Sequence, residues 1–337
     1  MNLRRLSVLP AASVLGVGAM TPLGCDLETI AQKLAEPPIG AGEPLRVADE
    51  TLSDPRIGRR MRRADRFLKM AVLASLNAWT AAENACGKLD GKRVGVIVAT
   101  GLGPHARMFR FLDGILDFGD TSALPIDFSH SVHNAAGAYI TELLDLRGRS
   151  FTITDFEAAF EQAVLLAQCW LAQGACSYVL LGGVEELGDV MLRFTTRTLA
   201  ECGKSGAIVP GEGAVFLALG PAGIAGCVQI DATNDCNDVD MLIIDAPELF
   251  AASADETISA SETGQLATFS THFGHQAGGS AMQVLGGLLS LQHGRGLGRV
   301  ISGGGRAVNS VATRKRLSNG RTATLVLRNP VTRPANL

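Results

Sequence analysis

The sequence predicts an α/β protein of close-packed helix and sheet layers, and three observations carry this. Residues 151–186 read as strand, tight turn, buried helix and strand. The run FTIT is followed by a helix-length segment rich in Ala, Leu and Val, then by a second apolar strand over 177–181 closed by Gly182-Gly183. Residues 93–100, RVGVIVAT, form an apolar run of strand length, as expected of a buried strand. Aromatic residues are only 5% of the chain while glycines number 39, which favours tight helix-on-sheet packing over a β-sandwich.

With 337 residues, 47% hydrophobic and 19% charged, the chain can bury a large core as one big domain or two fused halves. A net charge of −3 carries no global signature of nucleic-acid binding. The seven cysteines (25, 86, 169, 176, 202, 227 and 236) are scattered, odd in number and free of any CxxC spacing. That pattern argues against a disulfide framework or a metal centre and for a reducing cytoplasm. Arg4 and Arg5 ahead of an apolar run imitate a signal peptide, but Pro10 and Ser13 interrupt it, so no cleaved signal is expected. No uninterrupted apolar run approaches the ~18 residues of a membrane span.

The elements follow in order. Residues 12–23 are a strand ending in a Gly-rich turn, with Pro22 ahead of a helix near 26–35. There is no GxGxxG or Walker motif and hence no support for a nucleotide site. A loop over 37–55 leads to the basic cluster Arg56, Arg59, Arg60, Arg62, Arg63, Arg66 and Lys69, which opens an apolar helix over 67–85. The cluster reads either as a solvated helix start or as a docking patch for an acidic partner; opposite charge steers such encounters more than it sets affinity.

Residues 125–137, PIDFSHSVHNAAG, read as a loop. Its His130 and His133 lie three apart; without Cys or acidic ligands beside them, packing or interface roles are preferred over a metal pair. At 154–157 the turn into the buried helix places Glu157 where free N–H groups and the positive end of the helix dipole point. Many enzymes seat a Ser or Cys nucleophile at such an elbow. A carboxylate is a poor acyl nucleophile, and on local sequence alone a helix cap is the preferred reading of Glu157. Cys169, mid-helix, and Cys176, before a buried strand, read as inert core thiols. Residues 207–219 and 239–245 are strands, 280–291 a helix and 324–327 the last strand.

Several of these segments resemble β-ketoacyl synthases, the condensing enzymes of the thiolase fold. The opening strand and turn match at Gly16, Gly18, Thr21, Pro22, Leu23 and Gly24; 207–219 matches at Gly211, Glu212, Gly213 and Ala214. Residues 151–186 resemble the family's active-site elbow, and counting back from Gly182-Gly183 sets Glu157 at the nucleophilic Cys. Residues 125–137 resemble the chain-length-factor branch found in aryl polyene and related pathways, whose members also tend to carry Glu there. The resemblance sets the first catalytic His on Asp245 and the catalytic Lys on Ser270, while His275 keeps the second His; the phenylalanine gate of the last loop is missing.

The resemblance implies a five-layered αβαβα thiolase fold of two pseudo-repeated halves: residues 1–186, with the degenerate elbow, and 187–337, shortened. Claisen condensation needs a thiolate and two imidazoles, so Glu157, Asp245, Ser270 and His275 imply a chain that does not condense by itself. The implied role is a chain-length-factor subunit that pairs with an active ketosynthase and shapes its acyl tunnel in type II fatty acid, polyketide or aryl polyene synthesis. The implied partners are that ketosynthase and acyl carrier protein, with Arg59, Arg60, Arg62, Arg63 and Arg66 as carrier-docking candidates. No cofactor is implied beyond the carrier's phosphopantetheine arm. Two rival readings stay open: malonyl-carrier decarboxylation by Glu157 and His275, and a scaffold without catalysis, since function sits in sites and not folds.

Overall fold

The computed structural model describes residues 9–38, 43–119, 121, 123–201, 203, 209–233, 238–244 and 264–330. The chain opens with β1 (Ala12–Met20), α1 (Leu27–Leu34), α2 (Arg66–Cys86), β2 (Val94–Thr100), α3 (His105–Phe118), α4 (Pro125–Ser131) and α5 (Ala135–Leu143). The elbow follows as β3 (Ser150–Thr154), α6 (Ala159–Ala172) and β4 (Tyr178–Glu185), then α7 (Asp189–Glu201) and β5 (Gly213–Gly220). Next come β6 (Gln229–Ala232), β7 (Met241–Ile244), β8 (Gln265–Thr268), α8 (Ser270–Phe273), α9 (Ala281–His293), β9 (Arg299–Ser302), β10 (Ser310–Arg316) and β11 (Thr322–Arg328).

The eleven strands among the described residues form one sheet in the order β3-β2-β4-β5-β1-β6-β11-β10-β7-β8-β9. Its first five strands and β8-β7-β10-β11-β6 repeat one topology. In each unit the third strand, counted in chain order, lies parallel to the second, and the second parallel to its other neighbour. The remaining pairs of each unit are antiparallel. The units join edge to edge through Ala12↔Ile230 and Ser13↔Gln229. β5 completes the first unit at Gly220, and β6 opens the second at Gln229. The Gly182-Gly183 pair does not end its strand; β4 continues through it to Glu185.

Two helices occupy the middle. α6 and α9 pack against Ile97, Leu181 and Leu217 of the first unit and against Ile243, Val311 and Leu327 of the second, in one apolar core. The far face of the first unit carries a second core, where α2 and α5 cover Val96, Leu180 and Phe216. The far face of the second unit holds only a small cluster around Leu242, Ala312 and Val326. Among the described residues no helix covers this last face.

Local chemistry sets the helix boundaries. Asp65 caps α2 by accepting the Leu68 N–H at 3.0 Å, and Gly87 ends it at φ 79°. Against β1 the fit is close: a methyl group on Gly18 would lie 2.1 Å from the Ala74 carbonyl oxygen. Residues 125–137, expected as a loop, are helical in α4 and the start of α5; Pro125 takes the first turn of α4, where a missing N–H costs nothing. α6 is not covered all round, because Leu165 is 45% exposed. No described helix is long and apolar enough to cross a membrane.

Candidate functional site

The elbow between β3 and α6 is fixed by Asp155. One carboxylate oxygen accepts the N–H groups of Glu157 and Ala158 at 2.7 and 2.9 Å, and the other accepts the Gln162 side-chain amide at 3.0 Å. Burial pulls the Asp155 carboxyl upward, but the Ala158 and Glu157 N–H donors, the Gln162 amide and the Lys315 charge outweigh it and hold it below the usual range. Asp155 thus closes the turn that precedes α6, while at the helix's N-cap, Ala158, no side chain accepts a helix N–H, so Glu157 does not take the capping role open to it on sequence alone. Glu157 reaches the β10–β11 turn instead: its Oε1 accepts the Ser318 N–H at 2.8 Å, and its Oε2 accepts the Ser318 hydroxyl at 3.1 Å.

His275 is carried by the stretch after α8 and clasped to the strand-like segment before β5. Its N–H donates to the Val209 carbonyl at 2.7 Å, and its own carbonyl accepts the Gly211 N–H at 2.9 Å. The clasp needs glycine at 211, because a Cβ there would stand 2.1 Å from the Phe273 carbonyl oxygen. His275 and Phe156, the neighbour of Glu157, line one cavity of about 300 Å³ with Leu102, Glu185, Met191 and Phe194.

Elbow and His275 thus meet at one cavity, although Glu157 turns its carboxylate to Ser318. Ser270 is not in the lining; at the start of α8 its hydroxyl is met by Thr268 Oγ1 at 3.2 Å and by the Gln283 amide at 3.3 Å. Asp245 lies outside the described residues.

Two acids given no role in the sequence reading close the other side of the cavity. The Glu185 carboxylate accepts the Gly101 N–H, the Leu102 N–H at 3.2 Å and the Thr100 hydroxyl at 3.1 Å. Burial pushes its carboxyl up to about 8 against those donors and the Lys315 charge. Glu186 is pushed to about 8 by burial, and the neighbouring Asp65, Glu212 and Glu185 add to this against the Ala106 N–H donor at 2.7 Å. The only sequence signal was a pair of acids ending an apolar strand. Beneath the elbow, buried Glu161 in the first turn of α6 accepts the Ser280 hydroxyl at 2.5 Å, tying α6 to α9.

Beyond the cavity, Arg66 departs from the expected docking face. Its guanidinium turns inward to Glu212, Asp49 and the Val47 carbonyl. Arg59, Arg60, Arg62 and Arg63 remain exposed. His130 meets the Tyr139 hydroxyl at 2.7 Å, while the His133 ring packs on Gly103. Cys176 is buried, as read, but Cys169 is only half-buried.

The model of the beta-ketoacyl synthase N-terminal domain matches residues 47–219, half of the chain. A 3-oxoacyl-[acyl-carrier-protein] synthase 2 of Synechocystis sp. is 26% identical over 186 residues. That match spans 51% of this chain and 44% of the relative. Among solved structures, the ishigamide ketosynthase/chain length factor superposes with a TM-score of 0.74 at 16% identity, covering 95% of this chain and 99% of that one. A beta-ketoacyl synthase from Burkholderia phymatum gives 0.71 at 16% identity, covering 95% and 99%. A type II PKS acyl-carrier protein in complex with its ketosynthase gives 0.72 at 18%, covering 96% and 100%. At such identities the superpositions establish the thiolase-like ketosynthase fold, and with the match over residues 47–219 the chain belongs to the beta-ketoacyl synthase family.

Proposed function

We propose that the chain is a non-condensing subunit that pairs with an active β-ketoacyl synthase and shapes its acyl cavity, in the manner of a chain length factor. The setting would be type II fatty acid, polyketide or aryl polyene synthesis in the cytoplasm. The observation that carries this reading is Glu157: the elbow presents a carboxylate, not a thiol, and both of its oxygens are engaged by Ser318. A thioester intermediate has no sulfur to form on at that position.

The surface supports pairing. β3 is an edge strand, so one row of its backbone donors and acceptors faces away from the sheet, and its Phe151 is 54% exposed. The helices α3 and α4 show Leu112, Leu116, Phe118 and Phe128 to solvent. An open strand edge and exposed apolar side chains each suit a partner subunit. The exposed Arg59, Arg60, Arg62 and Arg63 suit an acidic carrier protein. The decarboxylase reading is weaker, because Glu157 is turned away from the cavity that His275 lines.

Co-expression with the candidate ketosynthase, followed by purification through a tag on this chain, tests the proposal. A stoichiometric complex is expected, with acyl label only on the partner. Recovery of this chain alone, or an acyl group bound to it, overturns the reading.

A further inference from the structure

The C-terminal end of α2 meets the link between β5 and β6, and the register of α2 on β1 sets which residues meet. A Cβ on Gly18 would run into Ala74 and Ala78, and one on Gly16 into Ala78 and Ala82. Two strand residues therefore match one helical turn, with strand and helix running in opposite directions. β1 shifts register between Val14 and Gly16, and Leu15 lies in the second core, on the α2 side. One turn beyond Ala82 the helix ends at Cys86, toward the Leu15 end of the strand. The link arrives at the same place. Leu15 and Ile224 both stand against Gly220, within 3.0 Å of a Cβ built there. The Ile224 N–H donates to the Ser13 hydroxyl at 3.1 Å, and the Cys227 N–H donates to the Ile224 carbonyl at 3.3 Å. The next carbonyl, of Val228, accepts the Val14 N–H at 2.8 Å. Ile224 and Cys227 both pack on the second core, which α2 covers. The two thiols are near enough for one to feel the other's charge: burial first, and then the Cys86 charge, raise the Cys227 thiol above its ordinary value.

We propose that Cys86 and Cys227 form a redox-active dithiol, which a small-molecule disulfide such as oxidised glutathione closes to an internal disulfide. Cys86 is exposed and Cys227 half-buried, so Cys86 reacts first. Its thiolate attacks one sulfur of the reagent, whose S–S bond breaks, leaving a mixed disulfide on Cys86 and releasing one glutathione thiolate. Cys227 then gives up its proton and attacks Cys86 Sγ; the mixed disulfide breaks and the second glutathione thiolate leaves. Two protein thiols are oxidised, and one glutathione disulfide is reduced to two thiols. The crosslink staples the end of α2 to the link between the two sheet units. It involves neither the cavity nor the subunit pairing.

The test incubates the dilute, reduced, full-length chain with oxidised glutathione, blocks the remaining thiols with N-ethylmaleimide and maps the peptides by mass spectrometry. A peptide pair joined through Cys86 and Cys227 is expected, and dithiothreitol should separate it. The glutathione adduct on Cys86 should stay at about a tenth of that pair or less, because the closing step is intramolecular. Cys227→Ser should stop the reaction at this adduct and raise it about tenfold, and Cys86→Ser should abolish the linkage. A parent chain that ends as the Cys86 adduct, that leaves Cys86 and Cys227 unmodified, or that joins Cys86 to any other cysteine overturns the proposal.

Discussion

Arg66 on α2 and Glu212 just before β5 form an ion pair at 2.6 Å in which the glutamate side chain is wholly buried. Glu212 also accepts the Val47 N–H and the Leu187 N–H, each at 3.0 Å, so one carboxylate binds three separate segments. Removing the cation leaves the buried carboxylate with only the more distant Arg46, at 3.8 Å, as counter-charge. Arg66→Ala should cost about 3 kcal/mol of unfolding free energy, read from urea denaturation, whereas Arg60→Ala on the exposed face should stay within about 0.5 kcal/mol. Equal effects would show that the burial of this pair is immaterial.

The contact of β1 with α2 sets a second expectation. A methyl on Gly18 would run into the Ala74 carbonyl and the Ala78 N–H, both backbone and unable to rotate aside. Gly18→Ala should cost about 3 kcal/mol or more through forced separation of strand and helix. Gly114 on α3 has open space around it, and Gly114→Ala should be neutral or slightly stabilising. A thermal melt comparing the two variants decides.

Glu185 gives a pH dependence with a defined sign. Its folded carboxyl titrates near 8, above the ordinary 4.5. Between those values the folded state holds a proton that the unfolded chain has lost, so its contribution is complete below 4.5 and disappears as pH rises through 8. Buried His105, His130 and His272 are pushed below the ordinary 6.5 by burial and act in the opposite sense at lower pH. The window that isolates the acids is therefore pH 6.5 to 8, where stability should fall as pH rises. Glu185→Gln should flatten that slope by an amount on the order of 1 kcal/mol per pH unit. A parent chain that gains stability across this window refutes the assignment.

For the proposed pairing, Phe151 is the sharpest probe. It sits on the outermost strand, so Phe151→Asp should leave the isolated chain's unfolding within about 0.5 kcal/mol of the parent. The same change should sharply reduce recovery of the ketosynthase in the tagged pull-down. Unchanged recovery would move the interface away from this edge.

Much of the frame was legible because it is written locally. The β-branched FTIT run, the Ala- and Leu-rich helix after it and the apolar RVGVIVAT segment each declare their element within a few residues. What escaped the reading depends on distant partners. Arg66 reads as one of a basic series until Glu212 is folded against it, and Glu185 takes meaning only when Gly101 and Leu102 present their N–H groups. The helices at 125–143 were hidden by Ser, His and Asn, which favour turns when judged alone. Asp155 was locally readable: an Asp side chain that accepts backbone N–H groups two and three residues on is ordinary turn chemistry. At the site, sequence located the elbow and His275, but not that Glu157 would swing to Ser318.

The sheet's connectivity bears on how the polypeptide is made. Met20 of the opening strand hydrogen-bonds in register with Ala214, and no strand described between them fills that place. During synthesis the first strand must wait for its sheet neighbour until the chain has been made as far as Ala214, with α2 sheltering only one of its faces meanwhile. Such delayed closure lengthens the interval in which a nascent chain is vulnerable to aggregation and to chaperone capture.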